Sequence, residues 1–331
     1  EKAVVNAIVG LHATGGSTNH TIHLVAMARA VGIEINWTDF CDLSKVTPML
    51  CRIYPNGYAD VNHFHAAGGL AFLIRELLAA GLLHEDVKTV FGDGLSRYAK
   101  EPIMQDGELT WQSPPDVSGN SEILSTVSKP ASSTGGLVLL DGNIGRSVIK
   151  VSAVKAERQV IEAPAIVFAS QKELMDAFKA GELERDFVAV VPFQGPKAIG
   201  MPELHKLTPP LSVLQNKGYK VALVTDGRMS GASGTVPAAI HMTPEALDGG
   251  VIGLIRTGDI IQLDSVKGTL EVLVSKDDLG RREPLSAPIS EEHWGTGREL
   301  FAGMRSLVTG AEQGAMSFDL REHSRQMESA E

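Results

Sequence analysis

The sequence predicts an α/β protein in two parts, and three observations carry that prediction. Helical spacing dominates before residue 110, short runs of Val, Ile and Leu recur after residue 137, and a stretch poor in large apolar residues lies between them. At 331 residues the chain is long enough for two cores. Residues 1–128 read as the carboxy-terminal part of an α/β domain, and residues 129–331 as a β-rich domain with a few helices.

Each element follows from its local pattern. Ala3, Val4, Ala7 and Ile8 are in helical register, as are Ile22, Leu24, Val25, Met27, Ala28 and Ala30, and later Leu70, Leu73, Leu77 and Leu78. Gln112 to Gly136 is rich in Ser, Pro, Gly, Asn and Thr and reads as a linker or crossing segment. Strands are expected at Leu137–Leu140, Ser147–Val151, Ala165–Phe168, Phe187–Val191, Lys220–Val224, Asp259–Leu263 and Thr269–Val274. Helices are expected at Gln171–Ala180, Glu203–Gln215 and Pro244–Leu247.

Three loops carry groups suited to chemistry. The strand ending at Val224 gives way to Thr225-Asp226-Gly227-Arg228-Met229-Ser230-Gly231-Ala232-Ser233-Gly234, where glycines bracket hydroxyls, a carboxylate and a guanidinium. In open α/β sheets ligands bind at such carboxyl ends; a plain tight turn with capping side chains is the other reading. The strand Phe187–Val191 leads to Gly200-Met201-Pro202-Glu203, with Pro202 suited to a first helical turn. Glu203 there either offsets the helix dipole or binds a cation or substrate group beside Ser230, since two parallel strands can bring both loops to one crevice. Near the start, Thr14-Gly15-Gly16-Ser17-Thr18-Asn19 precedes a helical run and reads as an anion cradle or as an ordinary N-cap. It is no Walker loop, because the Gly-Lys-Ser/Thr ending is missing.

Together these segments resemble the dehydratase family that contains dihydroxy-acid dehydratase and 6-phosphogluconate dehydratase, iron–sulfur enzymes that remove water from sugar acids. The likeness runs along nearly the whole chain, through Leu11 to Asn19, Asn62 to Gly69, Gly142 to Arg146, Gln194 to Lys197, Gly200 to Glu203 and Thr225 to Gly231. Tyr54-Pro55-Asn56-Gly57, the Asn62 to Gly69 block and the residues from Ser230 to His241 look like the 6-phosphogluconate branch. The resemblance implies that the second part is a swivelling β/β/α, barrel-like domain. It implies a role for Ser230 as the alkoxide that removes the proton beside the substrate carboxylate, and for Glu203 as a ligand of a divalent cation, Mg being the candidate. Arg228 and Gly231 are expected substrate-binding residues, and so are Thr14 to Asn19, these last from the anion cradle rather than from the resemblance, holding the phosphate or carboxylate. The expected reaction, in the full-length enzyme, is dehydration of 6-phospho-D-gluconate to 2-keto-3-deoxy-6-phosphogluconate in the Entner–Doudoroff pathway. The same resemblance implies a 4Fe–4S cluster as cofactor and a homodimer; two cysteines that read as unpaired point to a reducing, cytoplasmic location.

Cys41 and Cys51 lie ten residues apart, with no Cys-x-x-Cys partner, and read as buried thiols. By resemblance the cluster cysteines belong to an amino-terminal half that this chain lacks, and the start at Glu1 reads as a truncated one; the piece alone is expected to be inactive. A net charge of −10 without a basic stripe opposes nucleic acid and anionic membranes as partners. No apolar run approaches the ~20 residues of a membrane span. His20 with His23, and His63 with His65, read as capping or packing residues rather than metal ligands, and His12 and His241 flank the proposed loops. A dihydroxy-acid or other sugar-acid dehydratase, a non-catalytic sugar-phosphate-binding domain and a purely structural half are the competing readings.

Overall fold

The computed structural model describes residues 1–229, 234–288 and 295–317. Two compact units emerge: Glu1–Ser17 with Thr38–Leu137, and Thr18–Trp37 with Val138–Glu331. The sequence reading divides the chain once, at 128. A single cut cannot assign Thr18–Trp37, which belongs to the second unit.

In chain order the helices are α1 (Lys2–Thr14), α2 (His20–Ala30), α3 (Trp37–Val46), α4 (Val61–Ala66) and α5 (Gly69–Ala79). Two small hairpins follow, β1 (Lys88–Thr89) with β2 (Gly92–Asp93) and β3 (Glu101–Gln105) with β4 (Glu108–Gln112). In the first unit α1 buries Ile8, Val9, His12 and Ala13, a stripe set by the 3.6-residue period. Its core joins Val9 and Ala13 to Phe72, Leu73 and Leu77 of α5 and to Ile123 and Leu124. Those last two lie in the stretch read as a linker or crossing segment; here it is a crossing segment, because Arg52 donates its backbone N–H to Ile123 O and Ser125 donates to Leu50 O. His63 and His65 stand on α4. Asp60 caps that helix by accepting from the His63 backbone N–H, and the His63 ring turns back to it.

The second unit is built on a closed barrel. Its strands are β5 (Leu137–Gly142), β6 (Gly145–Lys150), β7 (Val160–Val167), β8 (Phe187–Val191), β9 (Val221–Thr225), β10 (Ala238–Thr243), β11 (Ile260–Asp264) and β12 (Thr269–Val272), in the spatial order β10-β6-β5-β12-β11-β7-β8-β9. β7, β8, β9 and β10 are mutually parallel neighbours, which places their carboxyl ends on one rim. Every residue of β8 and β9 is buried, so these strands read as continuous apolar runs. β7 alternates instead, sending Ile161, Ala163 and Ala165 into a core shared with Ile261, Leu263 and Leu270.

The remaining helices are short: α6 (Gln171–Lys179), α7 (Pro196–Ile199), α8 (Thr208–Asn216), α9 (Lys276–Gly280), α10 (Thr296–Leu300) and α11 (Ala302–Ser306). α6 lies where the sequence predicts it, capped by Ser170. The helix expected from Glu203 starts later. Glu203 is extended, bridged in parallel to Arg228, and only a 3-10 turn at His205–Leu207 precedes α8, whose own first turn holds the prolines. Pro202 therefore opens no helix, and dipole compensation is not the role of Glu203. The helix expected at Pro244–Leu247 is a 3-10 turn at Ala246–Asp248, after a cis Thr243–Pro244 bond. α2 packs in the second unit, where Gly314 approaches so closely that a Cβ would lie 2.8 Å from Ala26 N.

Candidate active site on the barrel rim

β8 and β9 run in register, Val191 opposite Thr225, so the chain leaves both strands at the same level. The hydroxyl of Thr225 donates to Val191 O (2.7 Å) and accepts from the Gly227 N–H (3.0 Å), which closes the turn. Gly227 must lack a side chain because a Cβ would lie 2.6 Å from that of Gln194. Asp226, wholly buried, accepts from the backbone N–H groups of Gln194 (2.7 Å), Ala246 (2.9 Å) and Phe193 (3.0 Å). Burial pushes its carboxyl above the usual range, and the three N–H donors oppose that shift. One side chain thus fastens the loops after β8, β9 and β10 to each other.

That fastening brings Glu203 to Arg228. Leu204 N donates to Arg228 O (3.0 Å), Arg228 Nε donates to Met201 O (2.6 Å), and Arg228 Nη1 lies 3.6 Å from Glu203 Oε1. The same carboxylate oxygen accepts from Asn19 Nδ2 (3.0 Å) at the start of α2. Both charged side chains keep part of their surface exposed, 37% for Glu203 and 28% for Arg228. The geometry can hold an anion or stabilise developing negative charge. Ser230 and Gly231, the expected base and its neighbour, lie outside the described residues.

Behind Arg228 stands His241, with no exposed surface and a left-handed φ of 61°. Thr21 Oγ1 donates to Thr18 O (2.9 Å), so at 3.2 Å from His241 Nδ1 it accepts the ring N–H. The imidazole is therefore the Nδ1–H tautomer with a bare Nε2, which has no partner among the described residues. Burial, then the charges of Arg228 and His23, hold its pKa down at about 3, so the ring stays neutral. Trp37 lies beside it, with ring centroids 6.1 Å apart, and donates Nε1–H to Thr21 O.

The Thr14 to Asn19 segment is used differently on its two sides. Thr14 donates its hydroxyl to Gly10 O, and Gly15, at φ 60°, closes α1 while Gly16 N donates to Leu11 O, so the Thr-Gly-Gly run forms a helix stop. α2 begins with Asn19 as N-cap, without a side-chain cap bond, so neither Ser17 nor Thr18 is its N-cap. Asn19 is the member of this segment that reaches Glu203. Asp226 acts as a capping side chain, as the tight-turn reading of this loop has it, while His241 was expected only to flank the loops. The available signals were a carboxylate directly after an all-apolar strand and a histidine two residues before a Thr-Pro bond.

The described residues do not build a metal or cluster site by themselves. Cys41 and Cys51 are buried, and burial raises the Cys51 thiol to about 12. No group of three or more His, Cys, Asp or Glu able to hold a metal occurs among the described residues, and Glu203 faces an arginine. None of the helices among them is long and apolar enough to cross a membrane.

Comparison with known proteins agrees with the layout. A family model for the carboxy-terminal domain of dihydroxy-acid/6-phosphogluconate dehydratases matches residues 122–315, and the model for the amino-terminal domain matches residues 1–98. The chain is 60% identical to a phosphogluconate dehydratase of Escherichia coli over 95% of its length and 52% of that protein's. It is 59% identical to the phosphogluconate dehydratase of Pseudomonas aeruginosa, over 96% of the chain and 52% of the relative. A dihydroxy-acid dehydratase of Caldanaerobacter subterraneus is 37% identical over 85% of the chain and 48% of its own length. The chain thus spans about half the length of the curated relatives it matches.

Proposed function

Because the chain belongs to the dihydroxy-acid/6-phosphogluconate dehydratase family, we propose that it is part of a hydro-lyase that converts 6-phospho-D-gluconate to 2-keto-3-deoxy-6-phosphogluconate, the dehydration step of the Entner–Doudoroff pathway. One observation carries the choice of substrate: identity is 60% to a phosphogluconate dehydratase and 37% to a dihydroxy-acid dehydratase. In this reading Ser230, as its alkoxide, takes the proton next to the substrate carboxylate, the 3-hydroxyl departs with a proton as water so that H and OH are lost together, and the enol so formed tautomerises to the 2-keto acid.

The residues around the β9 turn support that chemistry. A serine acts as a base only as its alkoxide, a form that nearby positive charge and oriented N–H donors favour. Arg228 supplies the charge two residues away in sequence, and Glu203, Met201 and Asn19 hold the guanidinium and its partner in place. The iron–sulfur cluster and the magnesium that the family resemblance implies find no complete ligand set in the described residues, so no step above passes through either group.

A direct test measures 2-keto-acid formation by the full-length protein. Turnover of 6-phosphogluconate well above that of an unphosphorylated dihydroxy acid supports the reading. The reverse preference assigns the chain to the other branch.

A further inference from the structure

Strand β10 breaks its pairing with β6 between Ile240 and Thr243, and at the break His241 takes a left-handed φ of 61°. We propose that His241 is a positioning residue of the dehydration site: it holds the turn after β9 to the first turn of α2 and so sets where the Arg228 guanidinium stands. The inference rests on the hydro-lyase reading above and gives a role to a side chain that touches no substrate.

The backbone supplies the first reason. A positive φ on a residue with a side chain is unfavourable and persists where the surroundings hold it. A break of register re-aims side chains, and such breaks gather beside active sites. Here the break lets one residue reach in two directions. His241 donates its backbone N–H to Gly227 O (2.9 Å), next to Arg228, and its ring N–H to Thr21 Oγ1 (3.2 Å). Thr21 is itself fixed, since its hydroxyl donates to Thr18 O (2.9 Å) and its carbonyl accepts from Trp37 Nε1 (3.1 Å).

The contacts also close on themselves. From Gly227 the chain passes to Arg228, whose guanidinium lies 3.6 Å from Glu203 Oε1. That oxygen accepts from Asn19 Nδ2, two residues before Thr21, and the His241 ring leads from Thr21 back to Gly227. Every member of this circuit belongs to the second unit. α2 is thus tethered to the loop that bears Glu203 through Asn19, and to the turn that bears Arg228 through His241. An arginine has many rotamers, so its charge favours a serine alkoxide only if its backbone and its carboxylate partner are both held. The ring itself is no acid or base for substrate: it has no exposed surface, its N–H is committed to Thr21, and burial keeps it uncharged.

The test uses the full-length protein and the acid that the parent dehydrates best. Thr21→Val removes the acceptor at nearly constant volume and is expected to lower kcat about tenfold with KM changed little, whereas Thr21→Ser keeps the hydroxyl and is expected to stay within about threefold of the parent. His241→Phe loses the ring donor and is expected to match Thr21→Val, with the double variant falling no further than either single one. His241→Asn keeps an N–H donor at the place of Nδ1 and tolerates left-handed backbone, so it is expected to recover most of the kcat. An Asn variant as slow as the Phe variant, with thermal unfolding showing both folded, overturns the proposal, because the imidazole itself is then what the reaction needs. Losses that add in the double variant overturn it as well. If His241→Phe does not fold, the Thr21 pair carries the test, and equal kcat for Thr21→Val and Thr21→Ser overturns the proposal. If the parent dehydrates no acid, the hydro-lyase reading falls and the circuit is read from urea midpoints: effects of Thr21→Val and His241→Asn that overlap support it, and effects that add overturn it.

Discussion

Asp226 keeps a carboxyl where water does not reach, and three backbone N–H groups from two other loops converge on it. Removing it strands those donors in a dry interior, each at a cost of about 1–3 kcal/mol. Asp226→Ala is therefore expected to lower the stability of the full-length protein by about 3 kcal/mol or more, read as a shift of the urea midpoint. A loss below about 1 kcal/mol contradicts the fastening role. At this scale the sequence was partly readable. Glu203 is expected beside Ser230 because the two follow parallel strands; Ser230 lies outside the described residues, and what the structure shows is Glu203 3.6 Å from Arg228, two residues earlier in the same turn. The tight-turn reading allowed Asp226 to cap backbone groups but could not name them, because two of its three donors sit in a loop more than thirty residues upstream and nothing in local pattern links them. His241 was equally hidden: its tautomer depends on Thr21, on a helix far away in sequence.

Among the elements, strands with uniform burial were the legible ones. β8 and β9 stand out as all-apolar runs, and α6 announces itself through Ser170 and its amphipathic spacing. β10 escaped because its register shifts between Ile240 and Thr243 and His241 has positive φ, which breaks the simple two-residue rhythm. The later start of α8 has a similar cause, the bridge that holds Glu203 extended against Arg228. The loop from Pro192 to Glu203 depends on a close approach at Gly195. A Cβ there would lie 1.9 Å from Glu245 Oε2, and that carboxyl is pinned by the N–H groups of Lys197 and Ala198. Gly195→Ala is expected to cost about 1–3 kcal/mol and to lower turnover as well, because the displaced loop carries Glu203. Gly10→Ala, in the middle of α1 with nothing within 4 Å of the new methyl, is the control and is expected to keep or raise the Tm. Equal behaviour of the two variants in thermal unfolding and turnover argues against a tight loop.

For the whole molecule, the α/β class and the barrel-like second part were foreseen from strand spacing and family resemblance. The way the chain is shared between two compact units was not. A helix early in the sequence joins the later unit, a non-local pairing that composition shifts along the chain cannot reveal. The exchange also puts Asn19 and Arg228, more than two hundred residues apart, onto the same carboxylate. The proposed dehydration depends on the turn after β9 carrying the base. Its most direct test is the kcat of a full-length Ser230→Ala variant on 6-phosphogluconate. Loss of a general base predicts a fall of about a thousandfold with KM changed little; a variant that dehydrates 6-phosphogluconate at the parent rate contradicts it.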